Sequence, residues 1–229
     1  MNKLRENIEK VKEKMLESAS RAKRKIEDIT LVVVTKTVSA AIIENCVSLG
    51  IKNIGENKVQ DAKEKFDMIS DLYDVKWHLI GHLQKNKVKS ALSIFDFFHS
   101  IDSFELAEEI DKRASKKIPI LLQANVSGEE TKHGFSSEKL EREIEKIMSL
   151  PNIEIRGLMT MAPLTEDAQI CRKCFSELRE LKEKLNSKYS DKLNMEHLSM
   201  GMSQDFEIAI EEGATMIRVG SSIFEGISN

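Results

Sequence analysis

A single (β/α)8 barrel of the TIM type, with an extra N-terminal helix, is the α/β fold this sequence predicts, on three observations. Eight short strand-like runs recur along the chain, and each of the first seven is followed by a helical pattern. Such alternation implies a parallel sheet. Eight repeats packed into about 200 residues imply that the sheet closes on itself. Several runs are also apolar throughout, as strands covered on both faces must be. The competing architecture is an open doubly wound sheet. It is weakened because no G-x-G-x-x-G follows the first strand and no P-loop motif occurs.

The elements can be justified in order. Leu4, Ile8, Val11, Met15 and Ala19 form an apolar stripe among charges, which predicts a helix within 1–26 packed on the barrel. The basic run at 21–25 falls where cations complement a helix dipole, which explains it without nucleic acid. The strand runs are ITLVVVTK (29–36), IKNIGE (51–56), VKWHLIG (75–81), FDFFHSI (95–101), IPILLQANV (118–126), IEIRGLMTM (153–161), NMEHLSM (194–200) and TMIRVGSSIF (215–224). Between them, AAIIENCVSLG ends in a glycine stop. SFELAEEIDKRASKK has Ser103 as a cap and a basic last turn. SSEKLEREIEKIMSL stops at Pro151, and DAQICRKCFSELRELKEKL is rich in i,i+4 charge pairs. Cys171 and Cys174 form a C-x-x-C, but they share a helix face with Phe175, Leu178, Leu181 and Leu185 and read as core thiols. No linker or low-complexity tract interrupts the pattern, so one domain is expected over 1–229.

Composition excludes several function classes. Hydrophobic residues make up 41% and charged residues 32%, as in an ordinary soluble protein, and the net charge of −3 argues for neither nucleic acid nor membrane. No run resembles a transmembrane span, and the N-terminal stretch lacks the apolar core of a signal peptide. Three cysteines fit a reducing compartment. A cytoplasmic monomer is the expectation.

In such a barrel the chemistry sits at the C-terminal ends of the strands. LVVVTKT (31–37) runs four apolar residues toward Lys36. Side chains alternate along a strand, so a lumenal Lys36 puts Val34 and Val32 beneath it. Barrel closure makes the last strand the neighbour of the first. On MIRVGSS the inward candidates are Met216, Arg218 and Gly220, with Ile217 and Val219 facing the helices. Lys36 and Arg218 then share one mouth. Two cations in a low-dielectric mouth repel, arginine keeps its proton, and a neutral lysine amine is a nucleophile able to condense with a carbonyl. The bland alternative is a lysine that snorkels outward or pairs with Glu56. SMGMS (199–203) and VGSS (219–222) follow the last two strands, where barrels often bind phosphate, and offer backbone N–H groups and hydroxyls. A Schiff-base lysine, an arginine and an anion cradle together describe a pocket for pyridoxal 5'-phosphate (PLP).

Other candidates are weaker. His78 and His82 have no carboxylate–histidine pair at metal spacing, and packing explains them better. LQKNKVK (83–89) reads as a solvated basic face. Met159, Met161, Met200 and Met202 cluster at strand ends, mostly as core.

The blocks LVVVTKT, GENKVQ, WHLIGHLQKNK, NVSGEETKHG, RGLMTM, LSMGMSQDFEIAI and GATMIRVGSSIF resemble, in order, those of the PLP homeostasis protein family. Its members are single-domain relatives of the barrel domain of alanine racemase. The resemblance spans about residues 3–225. It implies that Lys36 is the Schiff-base lysine and that Arg218 partners the pyridine nitrogen. It makes Ser199, Ser203, Gly220 and Ser221 phosphate-side contacts, and has Asn57 and Met159 line the ring. The ending IFEG (223–226) departs from a common family pattern, IFG followed by a basic residue. An arginine at the ring nitrogen disfavours its protonation and makes a poorer electron sink. The tyrosines, Tyr73 and Tyr189, fall away from the strand ends. The expectation is therefore a PLP carrier or buffer without robust turnover. The family role implies transfer of PLP to apo PLP-dependent enzymes. The alternatives are a PLP-dependent racemase and a cofactor-free Schiff-base lyase or aldolase.

Overall fold

The computed structural model describes residues 1–70, 73–126 and 133–228. Eight parallel strands close into a barrel in sequence order: β1 (Thr30–Val34), β2 (Asn53–Glu56), β3 (Lys76–Leu79), β4 (Phe97–Ile101), β5 (Ile118–Gln123), β6 (Ile153–Met159), β7 (His197–Ser199) and β8 (Met216–Val219). Around them lie α2 (Ala40–Ser48), α3 (Val59–Ile69), α4 (Val88–Leu92), α5 (Phe104–Arg113), α6 (Ser137–Met148), α7 (Ala168–Lys188) and α8 (Phe206–Glu211). A short α9 (Ser221–Phe224) follows β8, and α1 (Asn2–Arg21) precedes the barrel.

Alternation along the strands divides the core in two. Val33, Ile54, Trp77, Ile120, Leu122, Leu158, Ile217 and Val219 point outward and join the large cluster beneath the helices. Leu121, Met159 and Met216 form a small inner cluster, with Phe97 against it. Val32 pairs with Arg218 and Thr30 with Met216 across the closure, so Met216 and Arg218 face inward while Ile217 and Val219 face the helices. Register shifts between Ile120 and Leu121 in β5 against β6, and between Phe98 and Ile101 in β4.

The N-terminal helix is as patterned, with Leu4, Ile8, Val11, Met15 and Ala19 buried. Each large side chain on this face contributes about 1.5–3 kcal/mol on burial. The helix ends at Arg21, short of 26, and Lys23 takes a left-handed φ of 54°. Only Arg21 of the basic run is helical; Arg24 instead donates to Ile210 O at 2.8 Å. Asn7, buried on the same face, donates from Nδ2 to both Ile223 O and Glu225 O at 2.9 Å. Thus α1 clamps α9 and the residue that follows it.

One strand expectation is corrected. The run 215–224 is not all strand: it is extended to Val219, bends at Gly220 and becomes α9. Cys171 and Cys174 are buried, as their helix face predicts. Among the described residues, no helix is long and apolar enough to cross a membrane.

Candidate functional site

The C-terminal strand ends surround a cavity of about 530 Å³, within the range of small-molecule sites. Lys36, Asn57, Ser203, Arg218, Gly220 and Ser221 all line it. Lys36 lies in the turn two residues past the end of β1 rather than in the strand. Its predecessor Thr35 is anchored on the helix side. Thr35 Oγ1 donates to Glu56 Oε1 at 2.6 Å, and Lys65 Nζ donates to Thr35 O and Glu56 Oε1, each at 2.7 Å. With Thr35 fixed outward, the next side chain turns to the cavity. Glu56 is fully buried on that outer side and already partnered by Thr35 and Lys65, so it is not the partner of Lys36.

Arg218 lies at the cavity floor and is 3% exposed. Its Nη1 donates to Ser199 Oγ at 2.5 Å and its Nη2 to Thr160 O at 2.9 Å. Its backbone N–H bonds to Gly201 O, tying β8 to the loop after β7. Burial pulls its pKa down to about 10, against the attraction of Asp205, and it remains a cation at neutral pH. Asp205 is itself pushed up by burial, which outweighs its hydrogen bond from Met202 N and the pull of Arg218.

Beneath the arginine a polar chain runs through the barrel interior. Ser199 Oγ lies 2.8 Å from His99 Nδ1, His99 Nε2 lies 2.9 Å from His78 Nδ1, and His78 Nε2 lies 3.0 Å from Asn53 Oδ1. Desolvation holds His78 down to about 3 and His99 well below the ordinary imidazole range, so both are neutral.

On the opposite side, Gly220 N and Ser222 N both donate to Ser203 Oγ, at 3.3 and 3.4 Å. Both amides are taken by this hydroxyl, and an anion would be met by replacing Ser203 Oγ as their acceptor. A Cβ on Gly220 would meet Val34 O at 3.0 Å, and one on Gly81 would overlap Asn57 O at 2.3 Å, so this wall needs bare backbone.

Two of the expected contacts lie beneath the cavity lining. Met159 does not line the cavity; it is fully buried in the inner cluster, one layer below the mouth. Ser199 is likewise fully buried and does not line the cavity; its hydroxyl is engaged by Arg218 and His99. Met161 and Met202 reach the mouth instead. Residues 127–132 of the NVSGEETKHG block lie outside the described residues. His99 was missed by sequence reasoning, although it shares the inward parity of Phe97. His82 does have partners, Asp102 and His133, which come from two other loops. Lys85 and Lys89 are solvated, as expected.

The family model described as "Alanine racemase, N-terminal domain" matches residues 1–227. An alanine racemase of Clostridium difficile superposes with a TM-score of 0.74 at 15% identity, over 98% of this chain and 56% of that one, a likeness of fold. The barrel and its site thus define an alanine-racemase-type N-terminal domain. The pyridoxal phosphate homeostasis protein of Aquifex aeolicus is 41% identical over 222 residues, 96% of each chain. That of Escherichia coli is 32% identical over 229 residues, 98% of this chain and 97% of the relative. PipY of Synechococcus elongatus, solved with PLP bound, has a TM-score of 0.82 at 35% identity, covering 92% of this chain and 99% of that one. The chain belongs to the pyridoxal phosphate homeostasis protein family.

Proposed function

We propose that this chain binds PLP through a Schiff base at Lys36 and serves intracellular PLP homeostasis as a carrier or buffer, without robust turnover. One observation carries the reading. A lysine amine, a buried arginine and the turn of Gly220 and Ser221 with Ser203 line a single cavity at the C-terminal end of the barrel. These residues fit the group: the amine for its aldehyde, the amides with Ser203 and Ser221 for its phosphate, and Arg218 for its ring nitrogen. PLP, when bound, supplies an electrophilic aldehyde and an electron-withdrawing ring.

Arg218 offers only donors and keeps its charge, so a ring nitrogen facing it stays unprotonated. Such a site holds the cofactor and stabilises a carbanion poorly. Neither tyrosine lines the cavity: Tyr189 bonds Glu145 on the helical shell, and Tyr73 packs against the outer core. In this reading the chain works as a cytoplasmic monomer that passes PLP to apo PLP-dependent enzymes.

The test is a visible spectrum of protein supplied with PLP. A cofactor band is expected, lost in Lys36→Ala, with borohydride fixing the cofactor on the Lys36 peptide. A native protein without the band contradicts binding. Sustained conversion of L- to D-amino acids contradicts the carrier role. Failure to reactivate any apo-enzyme would remove the transfer role.

A further inference from the structure

We propose that His82, Asp102 and His133 form a divalent-metal site on the rim of the cavity, suited to a borderline cation such as Zn²⁺. The three residues come from the loops after β3, β4 and β5, adjacent strands in the barrel. Their ligand atoms lie within 4.8 Å of one another. Both histidines aim Nδ1 at the same carboxylate oxygen, Asp102 Oδ2, at 2.9 Å from His82 and 3.8 Å from His133.

A hydrogen bond accounts for only the first of these distances, since 3.8 Å is beyond its reach. A tetrahedral ion with bonds of about 2.0–2.1 Å sets its ligand atoms roughly 3.3 Å apart, between the two observed values. Small rotations of the imidazoles reach that geometry. They are free to make them: the side chains of His82 and His133 are 46% and 67% exposed, and their rings lie nearly parallel, 4.7 Å between centroids. The carboxylate is the fixed member. Asp102 is 11% exposed, and its other oxygen, Oδ1, accepts from Ser103 Oγ at 3.4 Å. An anchored carboxylate with two adjustable imidazoles has the donor chemistry for Zn²⁺.

Three protein ligands leave a fourth position. His82 and His133 both line the cavity, so that position opens toward it. Water or an anionic group of a bound small molecule would complete the shell. The centre uses neither Lys36 nor Arg218, so it stands whether or not the chain carries PLP.

The experiment titrates chelator-treated, full-length protein with Zn²⁺ by calorimetry and with Co²⁺ by visible spectroscopy. One equivalent should bind, with the intense d–d bands of tetrahedral cobalt. Loss of a supporting outer-shell residue typically costs ~10–100-fold in metal affinity, so His82→Ala, Asp102→Asn and His133→Ala should each cost more than ~100-fold. Circular dichroism checks that each variant folds, and His133→Ala, the most exposed position, decides if Asp102→Asn does not. No binding by the native chain overturns the proposal. So does binding that His133→Ala leaves unchanged, which would reduce the cluster to a His82–Asp102 hydrogen bond.

Discussion

Lowering the pH from 7 to 5 should strip stability from this fold through two buried histidines. His78 is 3% exposed and His99 is fully buried. Desolvation comes first in holding both down, with repulsion from His197 and Lys76 added at His78, and from His78, Arg218 and His197 at His99. The folded pKa of His78 is about 3, while an unfolded histidine titrates near ~6.5. Between those values the unfolded chain binds protons that the folded chain refuses. Stability is therefore complete above the unfolded pKa and drains away as pH falls below it. Integrated from pH 7 to 5, each histidine costs about 2 kcal/mol, and the pair about 4 kcal/mol. Against a total of about 5–15 kcal/mol for a typical protein, this is a large share. His197, also lowered, adds to the slope, whereas Asp205, raised by burial, opposes it because its folded form takes a proton first. The assay is urea unfolding at pH 7, 6 and 5, with the m value held constant. His99→Phe should lose about half of the pair's slope, whatever it does to absolute stability. A native chain that loses less than about 1 kcal/mol across the window would show that these histidines are not held neutral.

Three substitutions test the frame around the cavity. Ser199→Ala leaves an Arg218 N–H and His99 Nδ1 without their partner and should cost about 2–4 kcal/mol in urea unfolding. Gly201→Ala puts a Cβ where φ is +90° and within 2.5 Å of Ala209 Cβ; a loss of about 2 kcal/mol or more is expected by thermal or urea melting. Asn7→Ala removes both donors that hold the C-terminal side of α9. It should cost about 1–3 kcal/mol and, through the loosened Gly220 turn, speed PLP release measured by dilution.

The barrel was legible because periodicity is a local property of sequence. Eight strand-like runs, each one helix apart, leave few other topologies. The strand ends were less legible because termination is decided by tertiary contacts. Gly220 and Ser221 continue a strand-like pattern, yet Val219 is the last paired residue, since Ser203 takes the Gly220 and Ser222 amides. Alternation also predicts the face of a residue but not its height in a tilted barrel. Met159 and Ser199 were expected at the mouth, yet they are paired side by side one layer down. His82, Asp102 and His133 could not be joined from sequence, because their loops meet only when β3, β4 and β5 lie side by side.

The direction of the buried chain follows from its first member. Arginine has donors and no acceptor, so Ser199 Oγ accepts from Arg218, and its own proton finds its acceptor at His99 Nδ1. A neutral His99 with an accepting Nδ1 carries its proton on Nε2 and donates it to His78 Nδ1. His78 then also carries its proton on Nε2, donated to Asn53 Oδ1. Every link is satisfied in this arrangement, whereas running the histidines the other way would set an accepting His78 Nε2 against Asn53 Oδ1. Ring-nitrogen NMR should therefore find both histidines as Nε2–H tautomers at neutral pH. A His99 protonated on Nδ1 would refute this direction, because Ser199 would then accept from both Arg218 and His99 and its own proton would have no partner in the chain. With the chain intact, both histidines stay neutral and the Arg218 charge does not migrate inward. A cation fixed in this way can hold the ring nitrogen of a cofactor without giving it a proton, which favours retention over turnover.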